Sequence, residues 1–325
     1  MNKELNERVV NAIHKYLPKD KSIVSYLMDT LDLGRESAYR RVRNEISFTF
    51  EEISALSLNL GYSVDEIIGA DKKNRVFFDL QSTRSTDPAE AFLIMIKQNH
   101  NLIMRLYHAE QTEIIISLNH MSSVLSIYYD NLFKFFYFKW CHQINRVPFN
   151  FYFADNEVPP EIIDIYKETV VYGGMINNNI YILDKNVYLN TIREIQYFYQ
   201  RKLLSLEELL LLKEDLLHQI NVHEEYVRAG INENSFRLDY YLSQFEIESN
   251  VSYLEYDGNI ETHFWIHQAT NPIIIKDKEV GDIYKTWLIS LKKYSIQMSK
   301  SNELLQAEFF NQQHEYLDNM DKIMY

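Results

Sequence analysis

The chain has 325 residues, 46% hydrophobic and 24% charged, with only 8 Gly and 6 Pro, which excludes a collagen-like, low-complexity or globally disordered chain. Lys and Arg number 33 against 46 Asp and Glu, a net charge of −13, so a uniformly basic nucleic-acid coat is excluded while a local basic patch is not. Cys141 is the only cysteine, which excludes an intramolecular disulfide and a cysteine-cluster zinc site.

The length predicts two domains or more. No run reaches the ~18 apolar residues of a membrane helix. The amino terminus, Met1-Asn-Lys-Glu-Leu-Asn-Glu-Arg, has no apolar signal core. The expectation is a soluble, cytoplasmic protein with no membrane contact. Charge divides the chain: residues 1–75 carry 12 basic and 12 acidic side chains, and the remainder 21 and 34.

The first part reads as short helices with tight breaks. Leu5, Val9, Val10, Ile13 and Leu17 recur at helical spacing, and Pro18 ends that run. Ile23, Leu27 and Leu31 form the stripe of a second helix, with Ser22 as N-cap. Gly34 interrupts, and a third helix is predicted over about 35–44. A fourth starts at Thr49 with Glu52 three residues on, a capping box, and closes at Gly61. Ser63 caps a last turn, Val64 to Ile68. Residues 79–88 are polar and read as the end of a linker, with Pro88 near a helix start.

The second part is mixed. Helical spacing covers Ala89–Tyr107, and Glu113–Leu118 is a β-branched run that predicts a strand. Val124–Ile144 is aromatic and reads as helix. Two further helices follow, Tyr188–Leu204 and Leu206–Val227, the second opened by the box Ser205-Leu-Glu-Glu208 and stopped by Gly230. From Phe236 the period is two. Residues 251–256 and 260–266 flank Asp257-Gly258, a hairpin signal. Ile273–Ile275 is a buried-strand candidate, and helices over about 279–294 and 302–320 finish the chain. The predicted fold is multidomain: an N-terminal all-α helix-turn-helix domain of about five short helices (1–75), a linker (76–88) and a mixed α/β or α+β domain (89–325).

Most of the functional information lies in Ser22–Gly69. A helix-turn-helix needs a first helix with an inward stripe, a tight turn, and a second helix that packs small and β-branched residues inward while its outer face reaches bases. Leu27, Leu31 and Leu33 supply the first two. Ala38 and Val42 point inward, leaving Arg35, Glu36, Tyr39, Arg40 and Arg43 outward or sideways. Residues 35–43 hold four arginines and one glutamate. Arginine suits this place because its fork matches guanine O6/N7 and phosphate oxygens.

The run from Leu31 to Val42 resembles the recognition-helix pattern of bacterial repressor-type (Cro/XRE-like) regulators: leucine, any residue, an aliphatic, a small cap, Arg, then Tyr-Arg-Arg and an aliphatic. Phe48–Gly69 resembles the last two helices of the same class. The likeness covers about 50 of 325 residues. Three positions depart from the pattern: Gly34 stands at the usual Ser or Thr cap, Asp32 where the turn often has Gly, and Asn44 where Gly often follows the recognition helix. The resemblance implies a DNA-binding head on a large sensor or dimerisation domain.

On this reading Arg35, Ser37, Tyr39 and Arg40 touch base edges or flanking phosphates in the major groove. Lys21, Ser22, Arg41 and Arg43 mainly hold phosphates, helped by backbone N–H groups at the start of the helix that follows Ser22. The simpler reading of 35–43 is a solvated basic helix face. The expected partners are double-stranded DNA, a second copy of the chain, and a small-molecule or peptide effector. Helices 206–227 and 302–320 are the candidate dimer contributors, although a stripe such as Leu209, Leu212, Leu216, Ile220 and Val227 is ordinary for a core helix. No catalytic residue, metal site or cofactor is expected.

Other constellations read as structural. His263 and His267 share a strand face with Trp265 and Glu261, but one strand side makes a poor tetrahedral site. His218 and His223 are five apart, wrong for a shared helical face. Cys141 reads as a buried small hydrophobe rather than a thiol sensor, and the aromatic belt from Tyr128 to Trp140 as core packing rather than a pocket wall. The rival functions are a protein-interaction adaptor with a helix-turn-helix-like head, and an enzyme tethered to DNA. The second would need converging titratable groups in a pocket of residues 89–325.

Overall fold

In the computed structural model the apolar spacing of the first part is realised, among the described residues, as four full helices: α1 (Asn2–Tyr16), α2 (Ile23–Leu31), α3 (Arg35–Val42) and α4 (Phe50–Leu60). The structure describes residues 2–18, 21–64, 67, 78–80, 87–121, 129–144, 147–267 and 271–322. The chain divides into two compact units, Met1–Phe77 and Phe78–Tyr325.

In the first unit one core gathers Val9 and Ile13 of α1, Leu27 of α2, Ala38 of α3 and Leu56 of α4, all fully buried. The helices stop where the sequence supplies left-handed residues. Gly61 closes α4 at φ 75°, Asp32 closes α2 at φ 51°, and Asn44 follows α3 at φ 60°. Asp and Asn tolerate that region better than other non-glycine residues, which explains how this chain manages without glycine at two turns. Thr49 and Glu52 form the reciprocal capping box of α4. Helix α3 ends at Val42, two residues earlier than expected, because Arg43 and Asn44 make its exit turn. Of the expected last turn only Val64 and Ile67 are described, with Ile67 buried in the same core; Ile68 and Gly69 lie outside the described residues.

The second unit is built on an eight-stranded mixed sheet with the order β1-β7-β6-β5-β2-β3-β4-β8. The strands are β1 (Asp79–Leu80), β2 (Thr112–Leu118), β3 (Asn179–Leu183), β4 (Leu238–Leu242), β5 (Asn250–Tyr256), β6 (Asn259–His267), β7 (Asn271–Ile275) and β8 (Ile296–Gln297). Strands β2, β3 and β4 are parallel, and the other pairings are antiparallel. Within the segment expected as linker, Asp79–Leu80 is instead an edge strand paired antiparallel with Ile273–Ile274; residues 81–86 lie outside the described residues. The hairpin β5–β6 turns on Asp257 and Gly258, both at positive φ (45° and 79°), as a primed turn requires.

Seven helices accompany the sheet among the described residues: α5 (Pro88–His108), α6 (Asp130–Gln143), α7 (Pro160–Gly173), α8 (Leu189–Gln200), α9 (Leu206–Ala229), α10 (Lys278–Lys293) and α11 (Glu303–Asp318). Strand alternation decides what each covers. Leu118, Leu183, Leu238 and Tyr240 face a core with α6, α8, α9 and α11. Ile115, Ile182 and Tyr253 face the other way, against Leu288 and Leu291 of α10. Helices on both faces of a partly parallel sheet make this unit α/β.

Leu209, Leu212, Leu216, Ile220 and Val227 are all buried in that core. The stripe named as a dimer contributor is therefore consumed inside its own unit. Most of the aromatic belt is divided the same way, Phe135 and Phe138 into one core and Phe133, Tyr137 and Trp140 into another, but Phe136 is a pocket wall, against the expectation of core packing alone; residues 122–128 lie outside the described residues. Asn302 caps α11, its side chain accepting from the Leu305 N–H. Among the described residues no helix is long and apolar enough to cross a membrane.

Candidate nucleic-acid interface and a cavity

Helix α3 presents its expected outer face. Ala38 is fully buried, whereas Arg35, Glu36, Arg40 and Arg43 are exposed and Tyr39 is half-buried. Positions 35, 39 and 43 are successive i, i+4 neighbours, so they form one row. The Arg35 and Arg43 guanidinium carbons lie 5.7 and 5.6 Å from the centre of the Tyr39 ring, within the range of a cation–π contact. The tyrosine thereby holds two cationic forks on one side of the helix. Arg40 Nε sits 3.4 Å from Glu45 Oε2, with both side chains 48% exposed. Such an exposed pair is weak and readily exchanged. Lys21 and Ser22 are exposed at the start of α2, and Ser22 makes no side-chain cap bond.

Arg41 is placed differently from the expectation. It is only 9% exposed. Its Nη2 and Nε donate to the two oxygens of Glu52 at 2.6 and 3.1 Å, and its Nη1 donates to Ser37 Oγ at 2.7 Å. Three residues after the buried Ala38, position 41 falls on the inward side of α3. Arg41 thus braces α3 against α4 and is not presented to phosphate. Ser37, half-buried, uses its oxygen to accept from Arg41. The exposed arginines of 35–45 are then three, against Glu36 and Glu45.

A second brace was not anticipated. Asn6, 3% exposed on α1, donates to the Arg41 carbonyl at 3.1 Å and to Asn44 Oδ1 at 2.5 Å, and accepts from the Phe48 N–H at 2.9 Å. It fixes the exit turn of α3. The available signal was an amide on the same helical stripe as Val9, Val10 and Ile13.

The second unit contains a partly open cavity of about 240 Å³ on the sheet face that carries Ile114, Ile116 and Leu238, beneath Leu102 and Ile103 of α5. Most of the lining is apolar. Its charged side chains among the described residues are Lys139, 7% exposed and 2.7 Å from Glu194, and Glu233, which is exposed and accepts from the Tyr226 hydroxyl. His120, His223 and His263 also line it. His223 is 5% exposed; its Nδ1 lies 3.0 Å from the Tyr188 hydroxyl, and its Nε2 has no hydrogen-bond partner. Burial pushes the His223 pKa down to about 3, so the ring is neutral at pH 7.

His263 Nε2 lies 2.9 Å from Glu261 Oε2, and Glu261 also accepts from the Tyr256 hydroxyl at 2.6 Å. Burial works to raise the Glu261 pKa, but the His263 and Tyr256 hydrogen bonds, with the charges of His263 and Arg105, outweigh it and hold the carboxyl down at about 2. No metal-binding group of three or more His, Cys, Asp or Glu occurs among the described residues. Titratable groups do converge here, but Lys139 is paired. Ser252 Oγ, directly across the strand pair from His263, accepts from Trp265 Nε1 at 3.3 Å. Burial pushes the Cys141 thiol up to about 11, the opposite of what a thiolate sensor requires.

Set against protein-family models, curated proteins and solved structures, the chain matches none.

Proposed function

We propose that the protein is a sequence-specific DNA-binding regulator, acting as a homodimer in the cytoplasm, whose segment 35–44 enters the major groove and whose second unit is the regulatory body. The observation that carries this reading is the outward row Arg35–Tyr39–Arg43, with Arg40 beside it, on a helix whose inner side is locked by Ala38, Arg41 and Asn6. A rigid helix offering guanidinium forks on one side is what base-edge and phosphate recognition needs. The resemblance of residues 31–69 to repressor-type regulators supports the same assignment.

Arg35, Tyr39 and Arg40, with Ser37 near the helix start, reach base edges or flanking phosphates. Lys21, Ser22 and Arg43 hold phosphates; Arg41 is withdrawn from that set. One small head contacts few phosphates and the chain as a whole is acidic, so a pair of heads on a palindromic site gives the binding its strength. The test is the salt dependence of duplex binding by the full chain. Log affinity falls linearly with log salt if phosphates are neutralised, and Arg43→Ala reduces the slope by about 1. A duplex affinity without salt dependence contradicts the proposal and favours a protein-interaction adaptor.

A further inference from the structure

The cavity of the second unit carries three features that do not follow from packing alone. Its volume, about 240 Å³, exceeds the roughly 150 Å³ apolar cavity that takes up benzene. Its lining is mainly aliphatic and aromatic. One buried polar atom on its wall, Nε2 of His223, is unpartnered, although buried polar groups are ordinarily hydrogen-bonded. Tyr188, which holds Nδ1, stands outside the lining. The other side of the ring is therefore left for the cavity.

The charges limit what can enter. Lys139 is already neutralised by Glu194 at 2.7 Å, and Glu233 is exposed and held by Tyr226. An anionic guest would find no unpaired cation among the described lining side chains, and a cationic one only the exposed Glu233, which already accepts from the Tyr226 hydroxyl, so either would lose most of its hydration uncompensated. An uncharged guest meets no such cost and gains from the apolar walls.

We propose that this cavity is a binding site for an uncharged, mainly apolar small molecule, somewhat larger than benzene, whose single hydrogen-bonding group pairs with Nε2 of His223. The guest hydroxyl or carbonyl completes a chain that runs from Tyr188 through the imidazole into the cavity. When the Tyr188 hydroxyl donates to Nδ1, Nε2 carries the proton and donates to the guest; when it accepts from Nδ1, Nε2 accepts from a guest hydroxyl. Carboxylates are excluded by the same charge argument. The site stands whether or not residues 35–44 touch DNA.

The experiment titrates the full chain with 4-propylphenol, propylbenzene and 4-propylbenzoate at pH 7 by calorimetry, with histidine ¹⁵N resonances followed in parallel. The phenol is expected to bind roughly three- to tenfold tighter than propylbenzene, the worth of one net hydrogen bond, and at least about tenfold tighter than the benzoate. His223→Phe abolishes the preference for the phenol while propylbenzene still binds, and Ile103→Trp, which fills the cavity, abolishes both. In the wild-type chain the Nε2 signal of His223 shifts with the phenol and not with propylbenzene, a readout that needs no variant to fold. Failure of all three probes to bind, a benzoate that binds as tightly as the phenol, or a His223 signal indifferent to the phenol overturns the assignment.

Discussion

Replacing Glu52 with Gln tests whether the inner side of α3 is held as described. In the native chain the two Glu52 oxygens take Arg41 Nη2 at 2.6 Å and Arg41 Nε at 3.1 Å, and the second oxygen also accepts from the Thr49 N–H at 2.9 Å. Glutamine keeps one acceptor, enough for the Thr49 N–H, because the capping box tolerates it. The guanidinium then loses its counter-charge while its side chain remains 10% exposed. Removing one partner of a buried pair costs about 3–5 kcal/mol, and because Glu52 itself is 16% exposed the lower end, about 3 kcal/mol, applies. At about 1.4 kcal/mol per decade, the most protected amides of α2, α3 and α4 should exchange about a hundredfold faster, with those of the sheet unchanged. Hydrogen exchange by mass spectrometry reads both units in one sample. The double variant Arg41→Met with Glu52→Met should recover to within about 1 kcal/mol of the native chain, since apolar replacement of a buried pair is often neutral. A rise below about threefold for Glu52→Gln, or a double variant as damaged as the single one, refutes the brace.

Three further outcomes follow from the same geometry. Arg40→Ala should weaken binding to a selected duplex by about 1–3 kcal/mol if it reads a guanine, with almost no change in stability because its Glu45 pair is exposed; fluorescence anisotropy showing unaltered affinity removes that role. Gly34→Ser should raise the head's stability by a few tenths of a kcal/mol, since residue 34 is extended at φ −66° and ψ 151° with open space around it and α3 lacks a side-chain cap; a lower melting temperature contradicts this. His223, held at about 3 in the fold against about 6.5 unfolded, binds fewer protons in the native state between those values. The second unit should therefore lose stability as pH falls below 6.5, by about 2 kcal/mol at pH 5 from this group. Denaturant titrations of His223→Phe should show that much less pH dependence, and an identical profile would discount the buried neutral ring.

Local chemistry was the legible part of this chain. The boxes Thr49/Glu52 and Ser205/Glu208, the glycine stops at 61 and 230, and the Asp257-Gly258 turn each lie within a few residues, so the sequence displays them directly. Strand β3 was not read because a central parallel strand is a short apolar run without alternation, here Ile180–Leu183 behind three asparagines. Helix α7 was missed although Pro160, Ile162, Tyr166 and Val170 carry the start signal and spacing. Arg41 illustrates a different limit. Four arginines in nine residues read as one basic face, yet the helical period turns one of them toward Ala38, where a glutamate from the next helix awaits it. The cavity had no local signature at all, because its walls come from segments as distant as Leu102 and Trp265.

The most direct measurement is selection of bound duplexes from a random pool by the full chain and by its Arg35→Ala, Arg40→Ala, Arg43→Ala triple variant. The account predicts a two-fold symmetric motif enriched by the native chain and none by the variant, whose inner brace through Arg41 and Glu52 is untouched. A native chain that enriches no motif, or a variant that enriches the same one, contradicts it.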